Sequence, residues 1–289
     1  MKRFSGYIGA LVVVCIWGST FVSSKVLLDV GLRPADIFFV RFVIAYLCML
    51  LISHKRLFAD NWQDELVLFL LGIMGGSLYF LTANMALCYS YATNVSILVS
   101  TAPLLTALVC SLFYPSERMK GWQVIGSIIA FVGVILVVLN GQLVLHLNPL
   151  GDMLALSAAL AWAFYSLFMR RIMGRYSMDF ITRKIFAYGI ISILPYFWLV
   201  EPFSMTEAML AKPVVIVNLL FLSVIASNAC YLLWNWVLRE VGVVHASNFI
   251  YLQSLVTMVV SAIVLDERIT PMAIAGAIIL ILGMLRALK

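Results

Sequence analysis

Residues 121–139 read GWQVIGSIIAFVGVILVVL, a stretch of nineteen residues without a single charge. Residues 271–288 read PMAIAGAIILILGMLRAL and carry one charge, that of Arg286. A helix rises 1.5 Å per residue, so about 20 apolar residues cross the hydrocarbon core of a bilayer. Each stretch also contains two glycines seven residues apart, a spacing that suits close helix packing in membranes. The two stretches therefore predict membrane-spanning helices.

The remainder of the chain has the same character. Of its 289 residues, 64% are hydrophobic and 11% are charged, whereas a soluble domain has about 25% charged residues. In lipid the backbone must satisfy its own hydrogen bonds, so apolar spans of this length are helical. We predict an all-α membrane protein with ten transmembrane helices, near residues 7–28, 35–53, 66–88, 93–113, 121–139, 150–169, 182–200, 213–236, 243–264 and 271–288.

The basic residues lie mainly in short loops between these segments. If the N-terminus is inside, fourteen of the 19 Lys and Arg residues are cytoplasmic, four are outside, and Arg41 lies within the second segment. An excess of Lys and Arg marks cytoplasmic loops. We therefore predict that both termini are cytoplasmic. The net charge of +6 is explained by these loops beside the lipid bilayer, so we predict no nucleic-acid partner.

The chain contains an internal repeat. A shift of 150 residues aligns a series of identical residues in two helices and the loop between them: Leu105 with Leu255, Val109 with Val259, Ser111 with Ser261, Glu117-Arg118 with Glu267-Arg268, Gly126 with Gly276 and Gly133 with Gly283. Equivalent positions are five helices apart, so the two copies have opposite orientations in the membrane. We predict two inverted five-helix repeats, residues 1–145 and 146–289. Inverted repeats are typical of secondary transporters, whose substrate site lies near the midplane between the halves.

The order of these motifs resembles the drug/metabolite transporter superfamily, specifically its EamA-type ten-helix members. Trp17-Gly18-Ser19-Thr20-Phe21, followed by Pro34 and Arg41, is similar to the family's opening pattern. Pro103, Glu117-Arg118, Gly126 and Gly133 are similar to a later motif, which the second half repeats with Gln253 in place of the proline. The resemblance implies a carrier, often an exporter, that works by alternating access. It also implies the plasma membrane, here a bacterial inner membrane.

Motifs for catalysis or cofactor binding are missing from the sequence. The five cysteines are scattered singly through apolar segments, and no zinc, phosphate-loop or hydrolase motif occurs. We therefore predict no catalytic residues, no metal and no cofactor. A non-transporting membrane enzyme or scaffold is the alternative from another functional class.

Polar residues within the apolar segments mark the predicted substrate pathway, because polar groups at mid-membrane normally face protein or water. Several of them recur at three- and four-residue spacing, which places them on one face of a helix. The alternative interpretation is that such residues bond their own backbone or a neighbouring helix. The predicted substrate-binding residues of this kind are Ser77, Asn84, Ser100, Asn228, Tyr231, Tyr251 and Gln253. Segments 1, 3, 4, 6, 8 and 9 are predicted to line the cavity, with segments 5 and 10 as scaffold.

Two further pairs of residues each have two possible roles. Trp17 and Trp162 lie near mid-membrane at matching repeat positions, either as packing residues or as aromatic walls for a substrate. Arg41 either extends to the interface or, together with Lys25, attracts an anion and gates the outer mouth. We take the Glu117-Arg118 and Glu267-Arg268 pairs as structural, since an acidic residue favours a helix N-terminus.

The sequence thus predicts a secondary transporter for a small metabolite, amino-acid-like or amphipathic. A carrier of lipid-linked or phosphorylated metabolites is the alternative within transport, although more cavity-facing Lys or Arg would be expected. All thirteen acidic residues lie in loops or near segment ends. We therefore predict facilitated diffusion or exchange rather than transport driven by a buried carboxylate. Proton coupling through His245 or the substrate stays open.

Overall fold

The computed structural model describes residues 2–114, 119–139, 148–264 and 269–287. Within these ranges the chain is helical, without a β-strand beyond an isolated bridge between Met173 and Tyr176. We label the main helices in chain order: α1 Lys2–Asp29, α2 Pro34–Ile52, α3 Trp62–Tyr89, α4 Ala92–Val99 with Ala102–Phe113, α5 Gly121–Leu139, α6 Pro149–Ile172, α7 Met178–Leu199, α8 Pro213–Val241, α9 Val243–Val264 and α10 Pro271–Ala287. A single helical turn, Glu207–Leu210, precedes α8.

Seven of these helices are long and apolar enough to cross a membrane, namely α1, α2, α3, α6, α7, α8 and α9. Shorter apolar helices lie at Ala102–Phe113, Gly121–Leu136 and Ile274–Ala287. The chain is therefore an all-helical protein with several candidate membrane spans. The predicted total of ten spans and the two inverted repeats stay predictions.

Three predicted helix starts are wrong, because the first turns of these helices carry charged residues. α1 starts at Lys2 rather than 7, α3 starts at Trp62 rather than 66, and α7 starts at Met178 rather than 182. The Asn61 side chain caps α3 by accepting a hydrogen bond from the Asp64 backbone N–H at 2.8 Å. Hydropathy excluded these first turns because they carry ionic side chains. In α3 both carboxylates form ion pairs with basic residues in or just before α7, and in α7 Asp179 forms hydrogen bonds with serine side chains.

Four helices contain backbone irregularities that hydropathy did not predict. α3 contains a π-helical segment, Ile73–Ser77, and α8 contains another, Phe221–Ala229. α4 is interrupted at residues 100–101, and α9 contains a 3₁₀ turn, Asn248–Ile250. Adding 150 to residues 73–77 gives 223–227, inside the second π segment. Subtracting 150 from 248–250 gives 98–100, beside the interruption of α4. π segments inside α-helices are frequent at functional sites.

α5 and α10 pack against each other at backbone distance. A Cβ atom on Gly133 would lie 2.3 Å from the backbone nitrogen of Leu280, and one on Gly283 would lie 2.2 Å from that of Ala130. Only glycine fits at these positions, so the repeated glycines form a tight helix pair as their spacing predicted. The Glu117-Arg118 and Glu267-Arg268 pairs, predicted to be structural, lie outside the described residues.

Candidate functional site

A narrow central cavity lies among α1, α2, α3, α4, α6, α8 and α9. Its volume is about 20 Å³. That is room for roughly one water molecule, far below the about 300–1,000 Å³ of a ligand pocket. The helices must therefore separate before a metabolite can enter. The wall is formed by Trp17, Thr20, Arg41, Tyr79, Phe80, Val99, Ala102, Trp162, Tyr231, Ile250 and Gln253.

Aromatic rings form much of this wall. The rings of Trp17 and Trp162 meet edge to face, with centroids 5.2 Å apart and an interplanar angle of 87°. Tyr79 lies 5.2 Å from Trp162, and Tyr231 lies 5.9 Å from Trp17. Edge-to-face contacts add stability beyond simple burial. The four rings give the cavity a rigid surface suited to an apolar or planar group.

The π segments supply hydrogen-bond acceptors to this aromatic cluster. Trp17 Nε1 donates to the carbonyl of Ala226 in α8 at 2.9 Å. The hydroxyl of Tyr231 donates to the carbonyl of Gly75 in α3. Each bond joins a cavity ring to the irregular backbone of another helix. The aromatic wall is therefore coupled to the segments of α3 and α8 that depart from regular α-helix.

Arg41 is the cationic residue of the described cavity wall. It is 3% exposed, its Nε donates to Ser227 Oγ at 2.5 Å, and its guanidinium lies 4.2 Å from the ring centroid of Phe80. Among the described residues no Asp or Glu forms an ion pair with it. A charge buried in this way is costly unless it is paired. The arrangement leaves a fixed positive charge available to an anionic group in the cavity.

One end of the bundle, which we call the basic end, holds Arg56, Arg175, Arg183 and Lys184. Lys184 pairs with Glu65, whose carboxylate also accepts hydrogen bonds from Tyr188 and from the Ala59 backbone N–H at 2.6 Å. Asp64 accepts from Arg175 and Tyr176, each at 2.8 Å. These bonds join the start of α3 to α7 and to the loop before it.

Buried Arg183 donates to the carbonyls of Ser53 and Arg56, and so holds the end of α2 against α7. Arg56 also donates to the exposed carboxyl of Asp60, and this bond lowers the pKa of Asp60. The basic end is therefore closed by charged groups that link helices of both sequence halves.

Polar contacts between described residues also join helices at the opposite end of the bundle. Arg33 pairs with Glu201 at 3.1 Å, and both side chains are more than a third exposed. Ser204 Oγ donates to buried Asp36 at 2.8 Å. Exposed ion pairs contribute only about 0–1 kcal/mol. These two contacts join the start of α2 to the segment after α7.

A family model described as the EamA-like transporter family matches residues 4–139 and, separately, residues 149–288. The chain belongs to the EamA-like transporter family. Proteins of this family are transporters, so the chain is a membrane transporter of the drug/metabolite transporter superfamily, as the sequence motifs predicted.

Relatives from archaea and bacteria resemble this EamA-family chain along almost its whole length. A protein of Archaeoglobus fulgidus named an uncharacterized transporter is 29% identical, over 93% of this chain and 92% of its own length. A protein of Escherichia coli K12 named a probable amino-acid metabolite efflux pump is 26% identical, over 98% of this chain and 94% of its own. A solved crystal structure shares the fold, with a TM-score of 0.75, 17% identity and 99% coverage of this chain.

The structure brings five of the predicted site residues of this EamA-family chain together at the cavity. They are Trp17, Arg41, Trp162, Tyr231 and Gln253. Arg41 does not extend to the interface, since its side chain is buried. Lys25 is not part of the described cavity wall; it donates to the Leu87 carbonyl at 3.1 Å and pairs with Asp29 at 3.5 Å.

The other predicted site residues are not in the cavity wall of this conformation. Each makes a local or interhelical contact: Ser77 with Ser192 at 2.7 Å, Asn84 with the Pro34 carbonyl at 3.3 Å, Ser100 with the Ser96 carbonyl at 2.7 Å, and Asn228 with the Ala45 carbonyl at 3.1 Å. Tyr251 packs near α5 and α10, and its hydroxyl has no partner among the described residues. Their binding roles stay predictions.

Six wall residues were not predicted: Thr20, Tyr79, Phe80, Val99, Ala102 and Ile250. Thr20 follows Trp17 by three residues, and Ile250 precedes Gln253 by three, so helical spacing could have identified both. Tyr79 and Phe80 follow the π segment of α3, which changes which face the next residues present. Hydropathy gives no indication of such a segment. Within the described ranges, no group of three or more His, Cys, Asp or Glu residues could hold a metal.

Proposed function

We propose that this protein is a secondary carrier, acting as an exporter, for a small metabolite that bears a carboxylate and an apolar portion. Arg41 carries the proposal, because it is a buried cation in the cavity wall without an acidic partner in the described structure. Charge-assisted hydrogen bonds from arginine to a carboxylate are strong and directional. A substrate carboxylate would supply the missing counter-charge.

The aromatic wall supports the apolar part of the proposal. Trp17, Tyr79, Trp162 and Tyr231 surround the space beside Arg41. Rings of this kind pack against hydrocarbon or planar groups. Together with one cation they suit an amphipathic, amino-acid-like molecule. The name of the Escherichia coli relative, a probable amino-acid metabolite efflux pump, agrees with this substrate class and with export.

The same cavity gives less support to a phosphorylated or lipid-linked substrate. A phosphate group at neutral pH carries up to two negative charges, and several cationic donors normally bind it. Arg41 is the one Lys or Arg in the described cavity wall. We therefore keep the carboxylate as the proposed anionic group.

Alternating access between two inverted repeats is the proposed mechanism. It is supported by the recurrence of the π segments in α3 and α8, and of the α4 interruption and the α9 turn, at about the 150-residue offset of the sequence repeat. Discontinuous helices of this kind form the substrate sites of inverted-repeat transporters. Contacts at both ends link the two halves. Breaking these contacts at one end and keeping them at the other would open the cavity to one side of the membrane. In this proposal both termini face the cytoplasm.

The test is counterflow into liposomes that contain purified protein. Vesicles loaded with unlabelled leucine, phenylalanine or 3-phenylpropionate are diluted into the corresponding labelled compound. We expect wild-type protein to exchange at least one of them, Arg41→Lys to retain part of the rate, and Arg41→Gln to lose it. Exchange of neutral 3-phenylpropionamide in preference to 3-phenylpropionate would contradict the proposal. So would full activity of the Arg41→Gln variant.

A further inference from the structure

Trp17 and Trp162 differ in a way that their sequence positions do not reveal. They match at an offset of 145 residues, both line the cavity, and their rings touch edge to face. Both are buried, with 7% and 4% of their surface exposed. The two side chains are therefore similar in burial and in their place at the cavity.

Their indole N–H groups are not equivalent. The N–H of Trp17 donates to the carbonyl of Ala226 at 2.9 Å, which fixes α1 against the π segment of α8. The N–H of Trp162 has no hydrogen-bond partner among the described residues. In the matching π segment of α3, the Gly75 carbonyl is already occupied by the hydroxyl of Tyr231. One tryptophan is therefore tied to the protein, and the other retains an unused donor.

A buried donor without a partner reduces stability, because it lost its hydrogen bond to water and gained nothing in return. Such groups are rare in folded proteins and call for an explanation. Trp234 also has an unpartnered N–H, but it does not belong to the cavity wall. Trp162 is thus the unpartnered indole that a molecule in the cavity can reach.

We propose that the N–H of Trp162 donates a hydrogen bond to an acceptor oxygen of the transported substrate, while the N–H of Trp17 is structural. The proposal rests on the carrier function proposed above and makes Trp162 a determinant of specificity. Arg41 supplies the charge that selects an anion, and Trp162 supplies a neutral donor that fixes its orientation. Substrates that offer an acceptor to both groups are the ones favoured.

Three matched variants test this assignment: Trp162→Phe, Trp17→Phe and Trp234→Phe. Each loses the same atoms, so the cavity that each change leaves is comparable, and the differences report the N–H groups. Thermal unfolding is measured without substrate. The half-saturation concentration is measured by counterflow. The substrate is leucine, phenylalanine or 3-phenylpropionate, whichever the wild type exchanges fastest. For any variant that does not fold, 3-benzothienylalanine at the same position keeps the ring shape and removes the N–H.

Without substrate, Trp162→Phe should unfold at a higher temperature than Trp17→Phe, since only the latter loses a hydrogen bond. With substrate, Trp162→Phe should raise the half-saturation concentration about tenfold to a hundredfold, the range for a bond to a charged acceptor. Trp234→Phe should leave it unchanged. If Trp162→Phe and Trp234→Phe change the half-saturation concentration equally, this inference is overturned. The proposed function still stands in that case, provided that the wild type exchanges substrate and Arg41→Gln does not. Absence of any exchange by the wild type overturns the proposed function as well.

Discussion

Replacing Glu65 by glutamine tests whether the basic end depends on a buried charge pair. The change keeps the size of the side chain and removes its charge. Lys184, whose side chain is 7% exposed, then retains a hydrogen bond to Tyr188 at 3.3 Å and contacts with the rings of Phe58 and Tyr188 at 4.7 and 4.8 Å. Its positive charge has lost its carboxylate partner.

The magnitude follows from these contacts. Removing one partner of a fully buried pair costs about 3–5 kcal/mol. The side chain of Glu65 is 21% exposed, and the ring contacts of Lys184 compensate by roughly 0.5–2 kcal/mol. We therefore expect Glu65→Gln to lower the free energy of unfolding by about 2–3 kcal/mol. At about 2–4 °C per kcal/mol, the unfolding temperature falls by about 4–12 °C.

The assay is thermal unfolding of purified protein in detergent. Lys184→Met should cost less, because Glu65 keeps its bonds from Tyr188 and Ala59 and some contact with water. The double variant should lose less than the sum of the two single losses. Asp60→Asn is the control, since the Arg56–Asp60 pair is exposed, and should leave the unfolding temperature close to that of the wild type. If Glu65→Gln unfolds at the wild-type temperature, the charge pair does not stabilise the basic end. The same conclusion follows if the loss of stability in the double variant equals the sum of the two single losses.

Three further predictions concern packing, orientation and energy coupling. Gly133→Ala should destabilise the protein by about 1–3 kcal/mol, because the new Cβ would meet the Leu280 backbone. Gly121→Ala, where that atom meets nothing within 4 Å, is the control, and equal stability of the two would contradict the α5–α10 contact. A periplasm-active enzyme fused after Lys289 should be inactive, whereas an active fusion would contradict the proposed cytoplasmic termini. An imposed pH gradient should not drive uphill accumulation in liposomes, and accumulation abolished by an ionophore would show proton coupling.

The sequence predicted the positions of the helices better than their internal geometry. Hydropathy identified the described helices because burial in lipid requires long apolar runs. It misplaced the starts of α1, α3 and α7. For α3 the reason is the pairing of Glu65 with Lys184, which depends on two helices meeting in space. Hydropathy also gave no indication of the π segments in α3 and α8, which depend on packing between helices rather than on local composition.

The cavity wall was likewise predicted only in part. Trp17, Trp162, Tyr231 and Gln253 were predicted for the wall because large or polar residues at mid-membrane are unusual, and all four lie there. Arg41 was expected at the outer mouth or the interface because its depth was judged from its distance to the helix end. Its side chain instead bonds Ser227 of α8, a residue 186 positions away that local spacing cannot connect to it.

The central claim is that buried Arg41 binds a substrate carboxylate, and equilibrium binding of an acid and its amide tests it most directly. Trp17 and Trp162 line the cavity, so intrinsic fluorescence can follow titration with 3-phenylpropionate and 3-phenylpropionamide. Wild-type protein should prefer the acid by about tenfold to a hundredfold. In Arg41→Gln this preference should fall to about one, with the affinity for the amide little changed. An acid preference that persists in Arg41→Gln would contradict the account.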